Sequence, residues 1–220
     1  MNLYTNKKTL FFKLKKNSIK EWNSYIDHPF VNGIKEGTLK LDYFKDYLKQ
    51  DYIFLQRFMK ILSLAAYKAK TIEDMNKAIN FIFGIKHEIS LHIKYCKKFK
   101  ISKTKILMTK EKAPNKNYTN YVLKIGQKYS LLELYVALSP CIIGYGEIGY
   151  QLSKDKNWKK SKYSSWIKMY ASKEYQNLVR DNIQYLDLLY KNNKSKVKKL
   201  NQIFKKASIL ESKFWEMSMK

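Results

Sequence analysis

The chain has 220 residues, 45% hydrophobic and 15% aromatic, which supplies the apolar surface for a sizeable core and suits one domain over 1–220. Its only cysteines, Cys96 and Cys141, exclude a disulfide framework, and "MNLYTNKKTLFFKLKKN" lacks the charged-then-apolar pattern of a secretory leader, so a reducing, cytoplasmic compartment is expected. The formal net charge of +26 invites a polyanion, yet Arg57 and Arg180 are the only arginines, while base and bidentate phosphate recognition favour the guanidinium fork.

Lysines recur in nearly every segment, as on solvated helix faces, so nucleic acid is not an expected partner. No apolar run is expected to approach the ~20 residues of a membrane-spanning helix, and no membrane association is expected.

Taken in chain order, the first long signal is "LDYFKDYLKQDYIFLQRFMKILSLAAYKA", with apolar residues three and four apart. It predicts a helix entered after Thr38 from the loop "NGIKEGT". A second helix is predicted from about Thr71, carrying "IEDMNKAINFIFGIKHEISLHIKYCKKF". Pro114, Asn115 and Asn117 mark a connection before a third helical stretch, "YTNYVLKIGQ". The helix carrying Cys141 follows, and two more are expected after "KDKNWKK" and "NNKSK". No strand alternation of useful length is present, so the class is all-α: an antiparallel bundle of about seven to eight helices with room for a small-molecule pocket.

Polar residues on apolar helix faces are the candidate chemistry. Asp51 shares its face with Tyr47, Leu48, Phe54, Leu55 and Phe58, so its carboxylate requires a hydrogen-bond partner, either a neighbouring Tyr or Lys or a ligand. In "LSPCIIGYGEIG", Cys141 is expected to face inward, either as a small apolar side chain or as a nucleophile. Pro140 leaves a helix carbonyl unpaired, Gly144 and Gly146 permit close approach, and Tyr145 brings a hydroxyl one turn on. Glu211, in "ESKFWEM", shares a face with Ala207, Ser208, Phe214 and Trp215. A thiol and two carboxyls on three helices suit nucleophilic and acid–base chemistry. Glu88, His92 and Cys96 form a row one turn apart, half of a metal site with no histidine-rich facing helix, so no metal is expected and an orienting role is assigned to Glu88 and His92.

These segments, from His28 to Met217 and in order, resemble the TenA/thiaminase II family of thiamin-salvage hydrolases. The similarity lies in "HPFVNGIKEGTLKLDYFKDYLKQDYIFL", "YTNYVLKIG", "LSPCIIGYGEIG" and "ESKFWEM". It implies a heme-oxygenase-like bundle, a homotetramer, no bound cofactor, and deamination of 4-amino-5-aminomethyl-2-methylpyrimidine to its hydroxymethyl analogue, with thiamin cleavage as a related activity. It also implies Cys141 as nucleophile, Glu211 as proton relay and Asp51 as the carboxylate that holds the ring nitrogen and exocyclic amine. Phe54 would stack on the pyrimidine in place of a tyrosine found in some members, and Tyr118, Tyr145 and Tyr170 would line the pocket. The competing readings are a lysine-rich nucleic-acid-associated regulator and a pyrimidine carrier without turnover.

Overall fold

A computed structural model describes residues 2–193 and 196–220, apart from the side chains of His87 and Leu91. The expected connection around "NNKSK" therefore lies partly outside the described residues. All regular structure among them is helical. Three short helices open the chain: α1 (Leu10–Asn17), α2 (Ile19–Ile26) and α3 (Pro29–Glu36). Then come α4 (Leu41–Lys68), α5 (Ile72–Lys98), α6 (Lys103–Leu107) and α7 (Ala113–Lys128). A nearly unbroken apolar stretch follows, α8 (Leu131–Ser139) and α9 (Tyr145–Leu152) joined by a π turn, and the chain ends with α10 (Ser164–Ala171), α11 (Lys173–Lys191) and α12 (Val197–Glu216).

Twelve α-helices among the described residues exceed the expected seven to eight. The N-terminal three are only eight residues each, about two turns, and side-chain caps mark the starts of α1 and α3. The Thr9 hydroxyl accepts from Phe12 N, and His28 Nδ1 accepts from Phe30 N at 3.2 Å with Pro29 at the first helical position. Ser172 separates α10 from α11: its backbone is extended and its hydroxyl caps Tyr175 N. Pro114 also differs from expectation, sitting in the first turn of α7 rather than in the connection before it, where its missing N–H costs nothing.

Two compact units are present, Met1–Leu39 with Tyr135–Trp215, and Lys40–Leu134 with Glu216–Lys220. In the first, Trp22 stacks on Phe204 (centroids 5.2 Å, 17° between planes) and Phe30 on Trp215 (5.0 Å, 14°). A buried polar knot lies beside them. Glu147 accepts from Lys15 Nζ at 2.5 Å, Trp22 Nε1 at 3.1 Å and Gln151 Nε2 at 3.0 Å, so a carboxyl that burial pushes to a raised pKa is multiply bonded.

In the second unit α4 and α5 pair as a long hairpin, and α7 packs on α4. Thr71, near which this helix is expected to start, caps α5 by accepting from Asp74 N. Gln50, almost wholly buried, ties the entry of α7 to α4: its side chain donates to Lys110 O and accepts from Lys112 N, and its backbone oxygen accepts from Asn115 Nδ2 at 2.8 Å.

Residues Leu131–Leu152 form 22 helical residues, long and apolar enough by length and composition to cross a membrane, contrary to the expectation that no run approaches that length. Lysines are absent from this stretch, and 89% of its apolar window is buried inside the protein, as in a core helix.

Candidate active site

The cysteine motif departs from a plain α-helix. Proline at 140 removes the N–H that would bond Val136 O, and the chain takes up one π turn over Pro140–Gly144. Three carbonyls in and just before the turn accept from side chains. Ser139 Oγ donates to Val136 O at 2.8 Å, Tyr25 Oη to Pro140 O at 3.3 Å, and Tyr175 Oη to Ile142 O at 3.2 Å. Tyr25 approaches so closely that a Cβ on Gly144 would lie 2.2 Å from its ring, which is why glycine stands there.

Cys141 is partly exposed, whereas its neighbours Pro140, Ile142 and Ile143 are buried. The expectation of an inward-facing side chain comes from an unbroken 3.6-residue period, and the π turn shifts that phase by about one residue. The turn thus sets this thiol apart from a buried apolar filler.

Tyr145 starts α9 directly after the turn, and Tyr170 closes on it from α10 with ring centroids 4.9 Å apart. Trp166 packs edge-on to Tyr170 at 4.6 Å, and Trp215 lies 5.2 Å from Tyr145. Glu211 lies one turn before Trp215 on α12 and is 2% exposed. Cys141, Tyr145, Tyr170 and Glu211 all belong to the first unit, where α9, α10 and α12 bring together the rings of Tyr145, Trp166, Tyr170 and Trp215.

Asp51, Phe54 and Tyr118 belong to the second unit. Phe54 lies between Phe58 (5.7 Å, 23°) and Tyr118 (5.4 Å, 32°), so two of the expected ring-binding residues are in contact. Asp51 is buried, which pushes its pKa up to about 7 against a hydrogen bond from Tyr47 that lowers it. The tyrosine partner was one of the alternatives the sequence leaves open. A second neighbour is one it assigns elsewhere: His92 Nδ1 lies 3.4 Å from Asp51 Oδ2. The helix wheel of α5 places His92 on an inward stripe, and only the pairing of α4 with α5 brings it to Asp51.

Among the described residues no group of three or more His, Cys, Asp and Glu is placed to hold a metal ion. The lysines do gather in one place within the second unit, around a cavity of about 480 Å³ that includes Lys45, Lys49, Lys100, Lys105, Lys112 and Lys220. Part of that charge is neutralised internally, since Lys112 Nζ donates to Asp46 Oδ2 at 2.7 Å and to Met217 O at 3.0 Å. None of the candidate site residues lines it.

The helical architecture of the described residues is the heme-oxygenase-like fold: a solved Shewanella denitrificans domain described as having that fold matches at TM-score 0.72 and 11% identity, covering 94% of this chain and 91% of its own. Residues 16–220 match the TENA/THI-4/PQQC family, and the chain belongs to it. A Helicobacter pylori relative named aminopyrimidine aminohydrolase is 37% identical over 200 residues, 90% of this chain and 92% of that one. A solved Silicibacter sp. TM1040 structure, described as a TenA family transcription regulator, superposes with TM-score 0.92 at 34% identity, covering 96% of each chain.

Proposed function

We propose that this chain is an aminopyrimidine aminohydrolase of thiamin salvage, converting 4-amino-5-aminomethyl-2-methylpyrimidine and water to the 5-hydroxymethyl compound and ammonia. Family membership and the name of the Helicobacter pylori relative support the reaction class. The observation that carries the reading is the π turn at Pro140–Gly144, which leaves Cys141 partly exposed in an otherwise buried helix.

In this reading Cys141 adds as thiolate to the pyrimidine ring, and the ring electrons expel the amine from the methylene carbon. A thiol with a pKa of roughly 8.5 needs a proton acceptor to do so, and an amine leaves only when protonated. Glu211 serves the proton transfers: it delivers a proton to the departing amine, then takes one from the water that attacks the methylene, and the thiolate leaves as the ring recovers its aromaticity. Asp51 accepts from the exocyclic amine and binds the ring nitrogen. Phe54 offers a stacking face, and Tyr118, Tyr145 and Tyr170 line the pocket. Cleavage of thiamin is the related activity expected of the same residues.

A homotetramer and a cytoplasmic location are part of the same proposal. Exposed apolar side chains support association: Tyr67 is 86% exposed, Phe83 63% and Ile72 61%, all on the α4–α5 hairpin. Light scattering at micromolar concentration should give four chains, and a monomer would remove this part. The reaction itself is tested by ammonia release from a panel of aminopyrimidines. Binding without release would favour the carrier reading, and salt-sensitive nucleic-acid binding that survives Cys141→Ala would favour the regulator.

A further inference from the structure

His92 Nε2 lies 2.7 Å from Leu48 O, a carbonyl that only accepts, so this nitrogen carries the hydrogen. Burial lowers the ring's pKa and favours its neutral form, in which Nδ1 then carries the lone pair. That nitrogen faces Asp51 Oδ2 at 3.4 Å, with both side chains 7% exposed. The fit spans two helices, because Leu48 and Asp51 are one turn apart on α4 and His92 reaches across from α5 to touch both. Tyr47 on α4 hydrogen-bonds the same carboxyl, and at Cys96, one turn beyond His92, burial pushes the thiol up to about 12 with the nearby Asp51 charge adding to it.

We infer that His92 is a positioning residue for Asp51: anchored in one tautomer by the Leu48 carbonyl, it shares a single proton with Oδ2 and so fixes the orientation and protonation of the carboxyl that meets the aminopyrimidine. The inference rests on the function proposed above. With Oδ2 engaged, the carboxyl keeps acceptor lone pairs for the exocyclic amine of the ligand. The proton rests on the carboxyl as a neutral acid or on the ring as imidazolium, and in both cases an uncompensated buried charge is avoided. The sequence gives His92 a bundle-orienting role; the geometry makes it a neighbour of the ligand-binding carboxyl instead.

The test is a double-mutant cycle with calorimetric binding of 4-amino-5-hydroxymethyl-2-methylpyrimidine and steady-state ammonia release. His92→Gln retains an N–H for the Leu48 carbonyl and removes the nitrogen that faces Asp51. It should weaken binding and raise KM by about tenfold, with a smaller change in kcat, and should cost little further in an Asp51→Asn background. Wild-type parameters in His92→Gln, or a full additional loss in the double variant, would overturn the inference. An independent readout does not need turnover: with only three histidines in the chain, 15N NMR can follow the His92 ring. Nε2 should be protonated, and Nδ1 should shift on Asp51→Asn; an unresponsive Nδ1 overturns the pairing whatever the assays give. A wild-type protein that neither binds nor deaminates any aminopyrimidine would instead sink the proposed function.

Discussion

Ser139 Oγ donates to the carbonyl of Val136 at 2.8 Å, taking the place of the backbone N–H that Pro140 lacks. Ser139 and Pro140 stand side by side in "LSPC", so the hydroxyl repairs locally what the proline breaks. Ser139 is fully buried, which shields this carbonyl from bulk solvent. Ser139→Ala should therefore cost about 1–3 kcal/mol, the desolvation of an orphaned buried carbonyl. Denaturant unfolding measures it, and an unchanged midpoint with unchanged m would show that the turn finds another donor.

Two glycines after the cysteine are held by contact. A Cβ at Gly144 would lie 2.2 Å from Tyr25 Cε1, and one at Gly149 2.5 Å from the carbonyl carbon of Tyr170. A ring can swing aside, whereas the backbone of α10 moves only with its helix. Both alanine variants should lose about 1–3 kcal/mol, with Gly149→Ala the more destabilised in thermal melts. Gly144→Ala should also displace Tyr25 from Pro140 O and so disturb the cysteine turn. Equal melting temperatures for Gly149→Ala and wild type would contradict the packing of α9 on α10.

Asp51 links stability to pH. Its pKa is raised from 3.8 unfolded to about 7 folded, with burial as the cause. The unfolded chain thus releases this proton first as pH rises, and the folded protein holds it until about 7. The contribution is fully present below about pH 4, falls between about 4 and 7, and is flat above. Asp51→Asn does not titrate, so its melting temperature relative to wild type should climb across that window. A difference that stays constant from pH 4.5 to 8 would mean the carboxyl is ionised throughout.

Variants at the three ionisable positions should fail differently. Asp51→Asn mismatches donors and acceptors around a buried ligand, so both affinity for hydroxymethylpyrimidine and turnover should fall. Glu211→Gln should lower kcat by about a hundredfold or more with product affinity nearly unchanged, because proton transfer contributes only in the transition state. Cys141→Ser should resemble the glutamate variant. Near wild-type ammonia release from Cys141→Ser would exclude ring addition and leave direct attack by water.

The candidate site was legible in the sequence as residue types, and less so as neighbours. The long helices α4 and α5 show their apolar period over more than six turns, and Thr71 announces the second by its cap. Family motifs mark Cys141 and Glu211 directly. The Asp51–His92 pairing does not follow from either helix alone, since 41 positions separate the two residues and the α4–α5 register decides whether they meet.

By itself the sequence determined the helical class, because hydrophobic spacing, scarce glycine and proline, and side-chain caps act over one or two turns. It also determined that a carboxylate at 51 must find a partner, since burial among Tyr47, Phe54 and Phe58 forbids leaving it bare. Tertiary structure decided which partner that is, how far Cys141 is exposed, and why glycine occupies 144 and 149. Those outcomes depend on what an opposing helix brings within 3–4 Å, and a side chain's own neighbours in sequence carry no record of it.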